Sequence, residues 1–412
     1  MNIKRIFFLL AFAILSFVAF SQEISEETFV INVEVPVRVF KGNIFVDDLN
    51  INDFEVYEDG KPQKVEAVYL VKKTSIERSE EKKRFAPQTS RNFFLFFEIT
   101  EYSPKMGDAL EYFVHNVVYP GDNFTLVTPV KTYRLRNKAL EVKSREEIVN
   151  KLKKLLRRDA MAGNSEYRSM IKELEQLART LSASIAGAQG GGRIRLTDEF
   201  TSSEYEGLAF DEQITIYEQL LYKLENLRRV DQKQLLSFAK VLKDKEGQKC
   251  VFIFYEREYI PQIEPKILDQ YMSMYQDFPN IQLTLSGLFE FYRRDISFDV
   301  DLVKKSYADS SISVHFLFIT KPVHHVYGLR MQEQSEDIYS AFREMARATG
   351  GFTESSTRPD LLFKQALEAS ENYYLLYYSP LNYKKDGKFK EIKVRVKNKD
   401  YKAIHRLGYF AD

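Results

Sequence analysis

Apolar and polar residues alternate along the first part of the chain, between residues 28 and 72. Alternation with a period of two, rich in β-branched residues, predicts half-exposed β-strands. The sequences at 41–43 and 58–61 each contain a glycine and separate these runs, which is typical of tight turns. We therefore predict half of a β-sandwich over 28–72. A charged, proline-containing stretch at 73–91 follows and is predicted to be a linker.

The middle of the chain, residues 92–370, alternates short apolar runs with longer amphipathic stretches. Such alternation predicts an α/β domain with a mostly parallel, Rossmann-like central sheet that helices cover on both faces. The elements that we predict are strands at 92–98, 123–136 (a pair), 250–255, 313–319 and 351–354, and helices at 105–118, 263–275, 336–349 and 359–370.

The stretch 144–247 is highly charged and has apolar residues at three- and four-residue spacing. This pattern predicts a helical hairpin of coiled-coil character, inserted into the α/β domain. The glycine-rich segment 186–193 lacks a following Gly-Lys-Ser or Gly-Lys-Thr, so we interpret it as the flexible connection of the hairpin rather than as a phosphate loop. Such a hairpin could contact a partner or serve as an oligomerisation arm.

Strand patterns return at 371–412, again with a turn sequence between them. A few terminal strands are rarely stable on their own. We therefore expect the strands of both ends to complete one β-sandwich, with the α/β domain inserted between them.

The first residues, 1–21, place Lys4 and Arg5 before an apolar run at 6–20, and the small residues Ala19 and Ser21 lie at its end. This arrangement predicts a secretory signal peptide cleaved near Ser21 and Gln22, hence a secreted or periplasmic protein that touches the membrane only before cleavage. A retained anchor is the alternative, although the run is shorter than the ~20 residues of a spanning helix.

The amino-acid composition of the chain argues against some classes of binding partner. Sixty basic and fifty-nine acidic residues nearly cancel, and no basic block is present, which argues against nucleic acid. The only cysteine, Cys250, opens an apolar run and is predicted to be buried, so stability must come from core packing without disulfides. The five histidines are dispersed and no metalloprotease or serine hydrolase motif occurs.

Three stretches of the chain resemble one family: 35–39 with 53–63, the helix-to-strand junction at 345–351, and the closing strands at 373–378, 387–394 and 408–410. They are similar to the bacterial secreted proteins called VWFA-related, of the Acidobacteria type. The resemblance implies a von Willebrand factor A-like fold, no catalysis, and a role in protein interaction outside the cytoplasm.

The same resemblance implies where a metal-ion-dependent adhesion site would lie. The family pattern Asp-x-Ser-x-Ser falls on Glu98, Thr100 and Tyr102, and the later Asp position falls on Glu256. The family's distant Thr has no clear equivalent; Thr201 and Thr215 are both open. Mg²⁺ requires near-octahedral oxygen ligands, and the longer carboxylates and bulky phenol depart from that need. We therefore predict a degenerate site at Glu98, Thr100 and Glu256, with no cofactor beyond weak Ca²⁺ or Mg²⁺.

These observations favour a secreted, non-enzymatic protein that interacts with another protein. Two alternatives stay open: a hydrolase that uses Glu98 and Glu256 as acid and base, and a Ca²⁺-dependent binder. The plainest interpretation is that both carboxylates are solvated or paired with arginine.

Overall fold

A computed structural model describes residues 31–135, 142–189, 205, 207–291, 297–323, 329–381 and 383–412. The expected signal peptide, Thr201, the glycines at 190–192 and the histidines at 324–325 lie outside these residues. Within the described part of the chain, no helix combines the length and the apolar character that crossing a membrane requires.

Eighteen strands are described, some as short as two residues. In chain order they are β1 Val33–Lys41, β2 Ile44–Phe45, β3 Phe54–Glu58, β4 Lys61–Gln63, β5 Val65–Lys72, β6 Ser75–Glu81, β7 Arg91–Glu98, β8 Asn123–Val127, β9 Thr132–Leu135, β10 Gln248–Glu256, β11 Tyr259–Ile263, β12 Ile312–Ile319, β13 Leu329–Glu333, β14 Thr353–Ser356, β15 Asn372–Tyr378, β16 Phe389–Val396, β17 Lys402–His405 and β18 Gly408–Phe410.

Ten α-helices are described. They are α1 Pro104–Tyr112, α2 Arg145–Gly163, α3 Ser165–Gln189, α4 Phe210–Leu227, α5 Gln232–Lys243, α6 Pro265–Met274, α7 Pro279–Phe291, α8 Val300–Asp309, α9 Glu336–Ala348 and α10 Pro359–Glu371. Local sequence explains several starts: proline is the first residue of α1 and α10, and the Asp231 side chain accepts hydrogen bonds from two backbone amides at the start of α5.

The central sheet has the strand order β14-β12-β10-β7-β8-β9. Its first five strands run parallel, and β9 is an antiparallel edge strand. The apolar runs of β7 and β10 occupy the middle because both of their faces are covered. On one face Phe93, Leu95 and Phe97 pack with α1, α2 and α10, and on the other Val251 and Ile253 pack with α5, α8 and α9.

The two ends of the chain meet in antiparallel sheets. One sheet has the order β17-β1-β15-β5-β6, and the other has β18-β16-β3-β4. The turn between β3 and β4 places Asp59 and Gly60 at positive φ, as a two-residue hairpin requires. Buried Arg38 on β1 donates hydrogen bonds to the carbonyl of Gly350 and to Ser313 Oγ, so it joins these strands to the amino-terminal side of β12.

The expected fold class, a von Willebrand factor A-like α/β fold with a mostly parallel sheet and a β-sandwich, is wrong. The sheets are mostly antiparallel, the central sheet is mixed, and a curled antiparallel half-barrel replaces the sandwich. Ten of the fourteen described strand pairings are antiparallel. The alternating terminal strands are joined by short turns, which favour antiparallel pairing, and they outnumber the parallel strands of the middle of the chain.

Residues 144–247 are not a hairpin that lies outside the core. The described residues of the segment form four helices, and the apolar face of α2 packs against the central sheet, as does that of α5. The helices α3 and α4 pair with each other, and they share a core with α6, α7, β11 and β13. The high charge of the exposed faces does not predict this packing, because a charged face does not reveal what the opposite face contacts.

The stretch 73–91 is not simply a linker, since it contains β6, which pairs with β5. The strand is polar and mostly exposed, as edge strands often are. The predicted burial of Cys250 is confirmed, and burial raises the pKa of its thiol.

Candidate functional site

The carboxyl ends of β7, β10 and β12 bring three side chains together: Thr100, Glu256 and Lys321. Thr100 lies two residues beyond β7, Glu256 is the last residue of β10, and Lys321 lies two residues beyond β12. These strands are parallel neighbours, so their carboxyl ends meet at one edge of the sheet. We call this group the lysine site.

Each oxygen of the Glu256 carboxylate has a donor. Oε2 accepts hydrogen bonds from the Thr100 backbone amide at 2.7 Å and from Thr100 Oγ1 at 2.5 Å. Oε1 lies 2.7 Å from Lys321 Nζ, which also donates to Thr100 Oγ1 at 3.0 Å. Glu256 is 4% exposed, so its contacts with Thr100 and Lys321 are shielded from water. This shielding strengthens them. The exposed carboxylate of Glu101 lies 3.9 Å from the same ammonium.

The remaining predicted positions lie elsewhere. The Tyr102 hydroxyl lies against Gly107 of α1, where a β-carbon would collide with it, and burial raises the pKa of this phenol. Thr215 is on α4, where its hydroxyl donates to the Asp211 carbonyl. The structure therefore brings Thr100 and Glu256 together, and places Tyr102 and Thr215 outside the site.

Glu98 faces a different environment, a cleft of about 1330 Å³ beside the central sheet. Solvent reaches its side chain, yet protein forms the surrounding walls, and this enclosure raises its pKa; the nearby carboxylate of Glu258 raises it further. Glu258 itself forms an ion pair with Arg228 and accepts a hydrogen bond from the Tyr255 hydroxyl at 2.8 Å. Among the described residues, Glu98 has no hydrogen bond or ion pair.

The three predicted ligand positions do not fit a divalent cation as they are placed. Glu98 faces the cleft, while the Lys321 ammonium contacts both Thr100 and Glu256 from the position that a cation would need. Across the described parts of the chain, no group of three or more histidine, cysteine, aspartate or glutamate side chains could hold a metal ion. The arrangement instead supplies a fixed positive charge of its own.

Lys321 was missed in the sequence. Its signal was its position directly after a buried strand, next to the strand that carries Glu256. Lysine is not a metal-binding side chain, but its ammonium can satisfy carboxylate and hydroxyl oxygens in the place of a metal ion.

Glu98→Gln tests the environment of this carboxyl group through the pH dependence of stability. The folded pKa is raised, so ionisation of Glu98 opposes folding as the pH rises through that value, and the opposition vanishes below the unfolded pKa. We expect the variant to unfold at a higher temperature than the parent at about pH 8 and at the same temperature at about pH 4. The matched control is Glu391→Gln, at an exposed position on β16. An equal shift at both pH values for Glu98→Gln would contradict the assignment.

Comparisons of the chain with protein-family profiles, with curated proteins and with solved structures find no match. The resemblance to the VWFA-related proteins therefore stays a prediction.

Proposed function

We propose that this chain is a non-enzymatic, metal-independent protein that binds another protein outside the cytoplasm. The observation that carries the proposal is the Lys321 ammonium between Glu256 and Thr100, where a metal-dependent binder would hold its cation. The sequence pattern of residues 1–21 supports the extracytoplasmic location.

The environment of Glu256 disfavours the hydrolase alternative. A general acid or base must exchange a proton with substrate, and therefore needs a free lone pair or proton that substrate can reach. Glu256 is buried and its two oxygens already accept from Thr100 and contact Lys321. Glu98 faces the cleft instead, so the two carboxylates do not form a pair with shared access to one bond.

The packing of the helices disfavours an oligomerisation arm. The apolar faces of α3 and α4 contact each other and α6 and α7 within one chain, which leaves those faces occupied. Exposed apolar side chains remain nearby at Met274, Phe278 and Leu283, on and between α6 and α7. Exposed apolar residues that occur singly are normal on protein surfaces, so these three do not by themselves indicate a contact surface.

Site-specific photo-crosslinking tests the proposal. A benzophenone amino acid replaces Glu101, an exposed residue beside Lys321, and the labelled chain is expressed in its own cells. We expect one protein to be crosslinked in equal yield with and without EDTA, because the positive charge is supplied by Lys321. The control places the same group at Ile44, an exposed residue of β2, and should not capture that protein. Crosslinking that requires a divalent cation, or the capture of no protein, would contradict the proposal.

A further inference from the structure

The cleft that contains Glu98, which we call the side cleft, lies on one face of the central sheet. Its floor is formed by β7, β8 and β10, one wall by α5, and one end by the junction of α2 and α3. The helices α5, α8 and α9 cover this face over β10 and β12. Among the described residues, no helix covers the face of β8 and β9, since α2 packs on the opposite side of the sheet.

Apolar and aromatic side chains dominate the floor and the wall. Phe94 and Phe96 on β7 are half-buried, and both contact the ring of Phe238 on α5 edge to face, at 5.5 and 5.3 Å between centroids. Val127 on β8 is half-buried, and Val241 on α5 is 71% exposed at the rim. Partly covered aromatic surface of this kind gains free energy when a ligand excludes water from it.

At the carboxyl end of the floor, the Glu98 carboxylate has no hydrogen bond or ion pair with the described residues. Glu98 lies beside Tyr255 in the strand register, and Tyr255 donates its hydroxyl to Glu258. Arg228 forms an ion pair with Glu258, so of these two carboxylates Glu98 is the one without a counter-charge. Glu166, Arg134 and Arg229 also line the cleft. A carboxylate without a partner beside apolar surface favours a ligand that brings a cationic hydrogen-bond donor.

The size of the side cleft decides between kinds of ligand. Pockets for compact small molecules measure about 300–1,000 Å³, and this cleft exceeds that range. We infer that the side cleft binds an apolar segment of a partner polypeptide, with a lysine or arginine side chain of that segment against Glu98. The inference rests on the proposed function and names the chemistry of the partner: apolar residues along Phe94, Phe96 and Val127, and one basic residue at the end.

Peptide selection tests the inference. A random twelve-residue phage-displayed library is selected on the purified protein, and the most enriched peptide is synthesised with a fluorophore for anisotropy measurements. We expect enriched peptides to combine apolar residues with a lysine or arginine. Glu98→Lys should weaken binding at least tenfold because it reverses the charge, and the same peptide with its basic residue changed to glutamate should bind this variant better than the parent.

A second variant separates the shape of the cleft from its charge. Val127→Trp fills the floor without altering Glu98, and should also weaken binding at least tenfold. The matched control is Ile44→Trp, at a position that is 76% exposed and outside the cleft, and it should leave binding unchanged. Circular dichroism and unfolding temperature verify that each variant folds.

The inference is overturned if no peptide is enriched, if enriched peptides lack basic residues, or if binding survives either cleft substitution. Its failure is distinguishable from failure of the proposed function. The crosslinking experiment beside Lys321 is repeated in EDTA with the Val127→Trp and Glu98→Lys variants. If the partner protein is still captured, the metal-independent binding of the proposed function stands, and the contact lies outside the side cleft.

Discussion

We expect Lys321→Ala to bind divalent cations more tightly than the parent chain does. The substitution removes the ammonium from the lysine site and leaves the buried carboxylate of Glu256 with Thr100 as its remaining donor. Carboxylate and hydroxyl oxygens, with the carboxylate of Glu101 nearby, are ligands that Ca²⁺ accepts in loose geometry. We expect a dissociation constant of about 10⁻⁴–10⁻³ M for Ca²⁺, in the range of weak extracellular calcium modules. Isothermal titration calorimetry measures it directly.

Stability provides a second measure of the same substitution. In EDTA the variant should lose about 1–3 kcal/mol of unfolding free energy, the cost of removing one partner from a buried charged group. Ca²⁺ at tenfold excess over its dissociation constant should restore about 1.4 kcal/mol. The controls are Lys321→Arg, which retains a positive charge and should bind no Ca²⁺, and Lys105→Ala, at an exposed position on α1. Tight Ca²⁺ binding by the parent chain would refute our interpretation of Lys321.

The sequence predicted individual elements better than it predicted their partners. The strands β7, β10 and β12 and the helices α9 and α10 lie within a few residues of their predicted positions, because their apolar periodicity is a local property. The pairing of β1 with β15 joins Val33 to Tyr378, and no local pattern contains that information. Alternation shows which side chains face a core, but it does not show which strand lies alongside.

At the candidate site, the alternation of side chains along a β-strand does not predict where the side chains lie. Glu98 and Thr100 are two residues apart, so a continuous strand would place them on one face. The strand β7 ends at Glu98, and the chain beyond it turns Thr100 towards Glu256 while Glu98 stays with the side cleft. The meeting of Thr100 and Glu256 was predictable from parallel strand ends. Loop conformation determines that Glu98 lies apart from Thr100 and where Lys321 lies. The side cleft depends on how far the helices extend over the sheet. Tertiary packing determines both features, so local sequence does not predict them.

Asp122→Ala should destabilise the protein by about 3–5 kcal/mol, the usual cost of removing one partner from a buried ion pair. Arg91 begins β7 and Asp122 immediately precedes β8, and their side chains are each 2% exposed. The contact is bidentate, with Nε to Oδ1 at 3.0 Å and Nη2 to Oδ2 at 2.5 Å. Arg91 also donates to the Val117 carbonyl, and Asp122 accepts from the Tyr119 amide, so the pair closes the β7–α1–β8 unit at its amino-terminal end. Alanine would leave a buried guanidinium without its counter-charge.

Urea denaturation at constant protein concentration measures the loss. The comparison is Asp47→Ala, which breaks the ion pair of Asp47 with Lys72 at the surface, where the side chains are 52% and 39% exposed. Exposed pairs contribute about 0–1 kcal/mol, so this control should barely move the denaturation midpoint. The double variant Arg91→Met with Asp122→Leu should recover a large part of the loss, because no buried charge remains unpaired. Equal losses of unfolding free energy for Asp122→Ala and Asp47→Ala would show that burial does not strengthen the contact between Arg91 and Asp122. That ion pair would then not be the contact that holds β7 and β8 together.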